Sequence, residues 1–254
     1  MRPIFRGPVP TDAAGQPKKV RDYKDWRADL IDRIGNYCCY CNMVLNDSPQ
    51  VEHVTPKNPQ PGQVAGSLLD WDNMLLACGP CNQAKGNKPC STGTHFLPDS
   101  HNTHMAFEHI VVDSIQRPGM KACLVKPRPD LTNTQTAKAQ NTIGLCQLDR
   151  IVVNKRATDY RWKYRHEALL YAQEFRTSWE TINQSNADQD YSSQLLPLIR
   201  IAALAKGFFS IWFEAFHDVP VVLQSLIAAF PNTEPSCFDA ANGYAPVPRN
   251  PADL

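Results

Sequence analysis

The 254-residue sequence lacks several features that would assign a class of protein at once. No stretch of about 18 consecutive apolar residues is present, which excludes a typical membrane helix. The start of the chain has no apolar segment, so no secretory signal is expected. The charge balance also shows no excess of either sign, with 26 Lys and Arg against 25 Asp and Glu. A hydrophobic fraction of 43% excludes general disorder, and these observations predict a globular, cytoplasmic protein without a membrane partner.

The near-zero net charge conceals an uneven distribution. Residues 1–166 hold 22 Lys and Arg against 15 Asp and Glu, whereas residues 167–254 hold 4 against 10. Such asymmetry suggests one half that faces nucleic acid and another that meets a different partner.

Nine cysteines are present, and four of them form two C-x-x-C pairs. Each spacing allows two thiolates to reach one ion from a tight turn, so the two pairs together predict a structural zinc site. Redox-active or unliganded thiols are the alternative, and Cys39 is a weaker alternative ligand because only one residue separates it from Cys41. The predicted ligands are Cys38, Cys41, Cys78 and Cys81, and core or incidental roles are expected for Cys90, Cys123, Cys146 and Cys237.

Hydrophobic periodicity predicts a short mixed region followed by helices. Apolar residues at spacings of three and four, with Gly35 after the last, predict a helix from about residue 21 to 34. Short strands are expected near residues 51–54, 74–77 and 107–112, and a helical turn at 81–88. The C-terminal predictions are helices at 136–148, 154–186, 192–216 and 219–230, followed by a loose proline-rich tail. We therefore expect a boundary between residues 1–130 and 131–254.

The cysteine pairs enclose a specific motif. It reads Glu52-His53-Val54-x-Pro56, then Trp71-x-Asn73-x-Leu75-Leu76-x-Cys78, then Cys81-Asn82-x-x-Lys85-Gly86. This pattern resembles the HNH endonucleases with the ββα-metal fold, in the variant with Asn82 at the third motif position. The resemblance implies an α+β, mostly α protein, with a zinc-stapled ββα-metal nuclease core and an all-helical C-terminal region.

A softer resemblance extends outside this motif. The segments Met1-Arg2-Pro3-Ile4 and Leu97-Pro98-Asp99-x-x-Asn102-Thr103 are similar to the PtuB-type HNH proteins of Septu antiphage systems, some of which are retron-associated. This similarity implies a bacterial, cytoplasmic effector that cleaves DNA and works with a PtuA-like ABC/SMC-type ATPase. The acidic C-terminal half is where we expect that partner to dock.

The motif predicts the catalytic chemistry of phosphodiester hydrolysis. His53 is the expected general base, because an imidazole with a pKa near ~6.5 can accept a proton from water at neutral pH. By resemblance, Glu52 and Asn82 bind Mg²⁺ or Mn²⁺ as oxygen ligands, and Asn73 braces the loop beside His53. All four residues are therefore candidate catalytic residues.

Candidate nucleic-acid contacts lie in two places. Lys57, Lys85 and Lys88 are candidate phosphate contacts, with solvated surface as the alternative reading. The basic run at 150–165 alternates with aromatic residues and could follow a phosphate backbone, or it could be a solvated helix whose aromatic residues face the core. Its candidate contacts are Arg161, Lys163 and Arg165, and its aromatic residues are Tyr160, Trp162 and Tyr164.

Other features and other functions stay open. The histidines at 95, 101, 104 and 109 predict either a second metal site or surface polar residues, and the phenylalanines and tryptophan between 208 and 216 predict a core or a docking face. One alternative function is an RNA-cleaving, for example tRNA-cleaving, HNH nuclease of a retron-type system. The other is a non-enzymatic zinc-knuckle adaptor that binds nucleic acid or protein.

Overall fold

The computed structural model describes residues 1–113, 119–151, 159–184, 189–250 and 253–254, with only the backbone of residues 189–191. The helices are α1 Arg27–Ile34, α2 Gly79–Lys85, α3 Thr103–Ala106, α4 Asn133–Cys146, α5 Arg161–Gln184, α6 Gln189–Lys206, α7 Phe209–Ala215 and α8 Pro220–Ala229. The strands are β1 Gln50–His53, β2 Met74–Ala77, β3 Phe107–Asp113, β4 Lys121–Pro127, β5 Phe238–Asp239 and β6 Ala245–Pro246. No helix among the described residues is long and apolar enough to cross a membrane.

The N-terminal helix follows the predicted periodicity. A 3-10 turn at Tyr23–Trp26 leads directly into α1, and an Asp22–Asp25 capping box closes the start of that turn. The helix stops at Gly35, whose φ of 76° suits a residue without a Cβ atom. Trp26, Leu30 and Ile34 are buried, so the apolar stripe faces the core.

Two short strands and a helix form the centre of the first half. β1 and β2 pair antiparallel, with His53 opposite Met74 and Gln50 opposite Ala77. β2 is buried along its whole length, and α2 begins two residues after it. This strand, long loop, strand, helix order agrees with the expected ββα core.

The buried apolar residues of the described part of the chain form two hydrophobic clusters. The first surrounds β1, β2 and α2 and includes Ile143 and Leu145 of α4, whereas the second joins α5 to α8 and includes Tyr37 and Cys123. Apolar packing therefore crosses the predicted boundary at residue 130. The division of the chain into two domains at that boundary stays a prediction. The fold is mixed α and β with a helical C-terminal region.

Two predictions about the C-terminal half are wrong. The helix expected at 192–216 is divided into α6 and α7, because Gly207 and Phe208 have φ values of 71° and 55°. The expected loose tail is instead packed: it contains the paired strands β5 and β6, and Cys237 is fully buried. The helix predicted at 154–186 is observed as α5, which begins at Arg161 after the non-helical residues 159–160. The predicted residues 154–158 and 185–186 lie outside the described part of the chain.

Candidate metal centre and nuclease site

The four cysteines of the two C-x-x-C pairs come together in the structure. Cys38 and Cys41 lie in the loop after α1. Cys78 directly precedes α2, and Cys81 lies in the first turn of that helix. All four are buried, and their sulfur atoms lie within 4.8 Å of one another. The Sγ atoms of Cys41 and Cys78 are 3.7 Å apart, close to the ~3.8 Å edge of a tetrahedron with zinc–sulfur bonds of about 2.3 Å. The cluster can therefore hold a tetrahedrally coordinated metal ion such as zinc.

Arg161 supports this cluster from the helical half. Its Nη1 donates to the Sγ atom of Cys81 at 3.0 Å and to the carbonyl oxygen of Cys146 at 2.9 Å, and Asp159 pairs with its guanidinium. Donors to ligand sulfur atoms orient a metal site and offset its negative charge. The prediction that Arg161 contacts nucleic acid is wrong, because Arg161 is 2% exposed and its donors are occupied inside the protein.

His53 is the last residue of β1, and a backbone carbonyl holds its imidazole. Nε2 lies 3.1 Å from the carbonyl oxygen of Leu68. Because a carbonyl oxygen can only accept, Nε2 carries the proton of the neutral ring, and Nδ1 keeps a lone pair that no hydrogen bond of the described residues engages. Burial lowers the pKa of His53; the Leu68 contact opposes this shift, and the charges of Lys57 and Lys85 add to it. The ring is therefore neutral at pH 7 and able to accept a proton.

Tyr23 packs against His53, a contact that sequence reasoning missed. The centroids of the two rings are 4.6 Å apart, and the Lys57 Nζ atom lies 4.2 Å from the Tyr23 centroid. The apolar periodicity indicated that Tyr23 faces the protein. It carried no signal for a partner thirty positions later in the chain.

Asn73 fastens the loop between β1 and β2. Its Oδ1 accepts from the backbone N–H of Thr55 at 2.7 Å, and its Nδ2 donates to the carbonyl oxygens of Thr55 and Ser67 at 2.9 and 2.8 Å. Gly66 leaves room for this bracing, because a Cβ atom there would lie 2.2 Å from the Thr55 carbonyl oxygen. The contacts are those expected of a residue that braces the loop beside His53.

Glu52 and Lys85 form a buried ion pair behind His53. Lys85 Nζ lies 2.5 Å from Glu52 Oε1, and the Tyr40 hydroxyl donates to Glu52 Oε2 at 2.5 Å. Lys85 also donates to the backbone carbonyl of His53 at 2.7 Å and has no exposed surface. The prediction that Lys85 contacts phosphate is therefore wrong, since its ammonium group lies in the core.

The two predicted magnesium ligands, Glu52 and Asn82, are each engaged by another side chain. Asn82 Nδ2 donates to Gln50 Oε1 at 2.8 Å, and the Asn82 Oδ1 atom accepts no hydrogen bond from the described residues. Glu52 is 3% exposed and both of its oxygen atoms have donors of their own. In this arrangement Glu52 and Asn82 do not fit a shared Mg²⁺ site, and their assignment as metal ligands stays a prediction.

Comparison with known proteins relates this part of the chain to a protein family. Residues 38–88 match the HNH endonuclease family. This HNH segment contains the four clustered cysteines, His53, Asn73 and Asn82. The match supports nuclease activity at the level of the family.

Two relatives are similar to part of this chain. The chain is 32% identical over 65 residues to the CRISPR-associated endonuclease Cas9 of Corynebacterium diphtheriae, and this alignment covers 25% of this chain and 6% of Cas9. It is 31% identical over 80 residues to the Septu protein PtuB of Bacillus thuringiensis, and this alignment covers 28% of this chain and 30% of PtuB. The chain thus spans less than a third of either relative.

The other predicted nucleic-acid contacts divide by burial. Lys88 and Lys163 are exposed, and Lys57 is partly exposed. Arg165 is fully buried, and its Nη1 donates to the carbonyl oxygen of Cys123 at 2.7 Å. The prediction of a nucleic-acid contact is therefore wrong for Arg165, and residues 152–158 of the basic run lie outside the described part of the chain.

The aromatic residues of the basic run also differ in how far they are buried. Trp162 is 3% exposed and belongs to the interior, whereas Tyr160 and Tyr164 are 41% and 43% exposed. The aromatic residues between 208 and 216 are all buried in the second hydrophobic cluster, which confirms the core reading.

The histidines between 95 and 109 do not form a second metal site. The four cysteines are the only group of three or more ligand residues found in the part of the chain that the structure describes. The expectation of surface positions is wrong for His101 and His104, which are 3% and 2% exposed. Burial lowers the pKa of His104 well below its ordinary value.

Cys39 and Cys90, which are not part of the cluster, both lie in the protein interior. Burial raises the pKa of Cys39, and raises that of Cys90 to about 11. The Cys90 thiol donates to the carbonyl oxygen of Val54 at 3.0 Å. Both side chains are therefore neutral thiols at pH 7.

Proposed function

We propose that this protein is an HNH endonuclease that hydrolyses phosphodiester bonds in DNA, with His53 as the general base. The observation that carries the proposal is the anchored, neutral His53 ring at the end of β1. Its Nε2 is bonded to the Leu68 carbonyl, so Nδ1 is the basic atom. The match of residues 38–88 to the HNH endonucleases supports the same reading.

The chemistry assigned to this chain is proton transfer at a fixed position. Nδ1 of His53 accepts a proton from water, and the resulting hydroxide forms a new bond to the phosphorus atom of a bound phosphodiester. The bond from phosphorus to the 3′ oxygen breaks in the same displacement, and the departing 3′ oxygen takes a proton from solvent. Asn73 and Leu68 keep the ring and its loop in place. A divalent ion, Mg²⁺ or Mn²⁺, would supply charge stabilisation at the phosphate oxygens. In the structure Lys85 and the Tyr40 hydroxyl occupy the two carboxylate oxygen atoms of Glu52.

We assign Zn²⁺ to the four-cysteine cluster. Four buried sulfur ligands without an open position are typical of structural zinc sites, and the 3.7 Å separation of two of the sulfur atoms suits that geometry. The zinc then ties the loop after α1 to the start of α2.

We further propose that the protein acts in a Septu-like antiphage complex in the bacterial cytoplasm, with a PtuA-like ABC/SMC-type ATPase. The similarity to the Septu protein PtuB supports this role. The helical half carries exposed apolar side chains that such a partner would cover: Leu170, Tyr171, Leu198 and Ile201 are 47–58% exposed on α5 and α6.

RNA is the second candidate substrate, because Tyr160 and Tyr164 offer exposed rings. Their centroids are 6.3 Å apart, and unpaired bases stack on such aromatic groups. The two substrates are separated by the same cleavage experiment.

The test incubates the protein with labelled duplex DNA, single-stranded DNA and tRNA, with Mg²⁺ or Mn²⁺, with and without the ATPase. We expect cleavage of duplex DNA and its loss in His53→Ala, because the general base contributes roughly 10²–10⁴-fold to the rate. His217→Ala is the matched control, since His217 is exposed on the helical half.

Each alternative has its own outcome in this experiment. Cleavage confined to tRNA would establish the RNA-cleaving function. Equal cleavage by wild type and His53→Ala would remove His53 from the mechanism. Zinc binding without cleavage of any substrate, with the ATPase present, would identify an adaptor.

A further inference from the structure

Part of the positive charge near His53 belongs to a segment that the nuclease motif does not include. The Tyr23 ring lies against His53, with Lys57 Nζ 4.2 Å and Lys24 Nζ 5.8 Å from the Tyr23 centroid. Two ammonium groups therefore flank the aromatic ring that covers the general base. Lys57 belongs to the loop after β1, whereas Tyr23 and Lys24 precede α1.

This N-terminal segment, residues 19–27, is fixed to the HNH segment. The Trp26 indole donates to the carbonyl oxygen of Leu69 at 2.8 Å and packs edge-on against Trp71, with centroids 5.3 Å apart. Leu69 is adjacent to Leu68, whose carbonyl holds His53. Buried contacts therefore set the position of residues 19–27 beside the loop that contains Leu68 and Leu69.

The segment carries cations that are not neutralised inside the protein. Lys19, Arg21, Lys24 and Arg27 are all exposed, and in the described ranges no carboxylate forms an ion pair with any of them. The two acidic residues of the segment, Asp22 and Asp25, accept backbone N–H groups in the capping box. The segment thus presents four unpaired cations, whereas the cations of α5 behave differently: Arg161 pairs with Asp159, and Lys163 lies 3.9 Å from Glu167.

We propose that residues 19–27, together with Lys57, form the phosphate-binding wall of the nuclease site. The wall binds the sugar–phosphate backbone of the nucleic-acid substrate and holds the strand against His53. Ammonium and guanidinium groups bind phosphates irrespective of base sequence, so the wall supplies affinity and position without reading bases. This inference rests on the proposed nuclease function and replaces the phosphate contacts predicted for the buried Lys85, Arg161 and Arg165.

The test measures binding in the His53→Ala background, where the substrate stays intact. The wall variant replaces four exposed cations by glutamine: Arg21→Gln, Lys24→Gln, Arg27→Gln and Lys57→Gln. The matched control replaces one lysine on β4 and one arginine on α6, Lys121→Gln with Arg200→Gln, and is compared with the double wall variant Lys24→Gln with Arg27→Gln as well as with the full wall variant. Both control residues are exposed. Fluorescence anisotropy with labelled duplex DNA and labelled RNA, over a range of salt concentrations, gives affinity and salt slope.

We expect the wall variant to bind the substrate at least roughly tenfold more weakly and to lose about one unit of salt slope per phosphate contact removed. The control variant keeps both quantities. Equal weakening in both variants, or weakening in the control alone, would overturn the inference. Circular dichroism of both variants checks that each is folded before binding is compared.

Failure of the inference is separable from failure of the proposed function. If the wall variant binds normally while His53→Ala abolishes cleavage, the nuclease assignment stands and the wall does not. If the wall variant loses binding while His53→Ala still cleaves, the wall stands and the general base is wrong. The DNA and RNA probes show which nucleic acid the wall holds more tightly.

Discussion

At the scale of single residues, burial decides what the charged side chains around His53 do. Burial raises the pKa of Glu52, and the Lys85 charge opposes this shift. A buried carboxylate is costly unless charged and hydrogen-bonding partners surround it. Lys85 and the Tyr40 hydroxyl are those partners, and Lys85 joins them to the backbone of His53. We therefore regard the pair as a structural tie between β1 and α2.

Removing the cation of this tie should be costly. Lys85→Met leaves the Glu52 carboxylate buried without its cation, so we expect the free energy of unfolding to fall by about 3–5 kcal/mol. Lys88→Met, three residues later and exposed, should change it by less than ~0.5 kcal/mol. Urea denaturation measures both. A Lys85 variant as stable as the Lys88 variant would mean that the ion pair is dispensable.

At the scale of elements, one junction connects the first cysteine pair to the helical half. The backbone N–H groups of Phe208 and Phe209 donate to the carbonyl oxygen and Oδ1 of Asn42, at 2.7 and 3.0 Å. The backbone reaches these acceptors because Gly207 and Phe208 leave the helical conformation. The break between α6 and α7 is therefore the docking point of the Cys38–Cys41 loop.

A glycine pair in the same chain tests this junction. Gly207→Ala should lower the free energy of unfolding by at least ~1 kcal/mol, because φ is positive there and a new Cβ atom would lie 2.6 Å from the Asn42 carbonyl oxygen. Gly144→Ala is the matched control inside α4, where a Cβ atom meets open space. Since alanine favours helix, the control should gain about 0.4–1 kcal/mol. Thermal and urea unfolding of both variants gives the comparison; the same sign in both would refute the role of Gly207.

At the scale of the whole molecule, the four-cysteine cluster joins parts of the chain that are distant in sequence. Its ligands come from the loop after α1 and from the start of α2, and Arg161 of α5 donates to one sulfur atom. All four cysteines belong to the first hydrophobic cluster. Loss of the metal should therefore weaken both halves of the protein together.

Removal of one cysteine of the cluster tests this expectation. Cys78→Ala should lose the bound zinc and unfold at a temperature lower by roughly 10 °C or more, since each kcal/mol lost shifts the midpoint by about 2–4 °C. Cys237→Ala is the control, because Cys237 is equally buried but lies outside the cluster. Mass spectrometry of bound metal and calorimetry provide the readouts. A Cys78 variant that keeps one zinc per chain would exclude it as a ligand.

Local patterns in the sequence predicted most of the nuclease core. The C-x-x-C spacings predicted the cysteine cluster, and the periodicity that ends at Gly35 predicted α1. Burial that depends on contacts between segments distant in sequence was predicted poorly. Arg161 and Arg165 read as a basic helix face, yet both are buried, and the proline-rich tail packs against the core. A cation enters the interior only when distant carbonyl, carboxylate or sulfur groups receive its donors, and those groups are not neighbours in sequence.

The sequence by itself determined the chemistry that this protein carries: two cysteine pairs able to share one ion, and a histidine beside an acidic residue within the motif of the HNH endonucleases. These features depend on short spacings, and a few residues of chain suffice to define them. Only the tertiary structure decided which charges reach solvent, that Glu52 is paired with Lys85, and that Tyr23 packs against His53. Packing of segments far apart in sequence sets these relations, because burial and ion pairing depend on the whole fold.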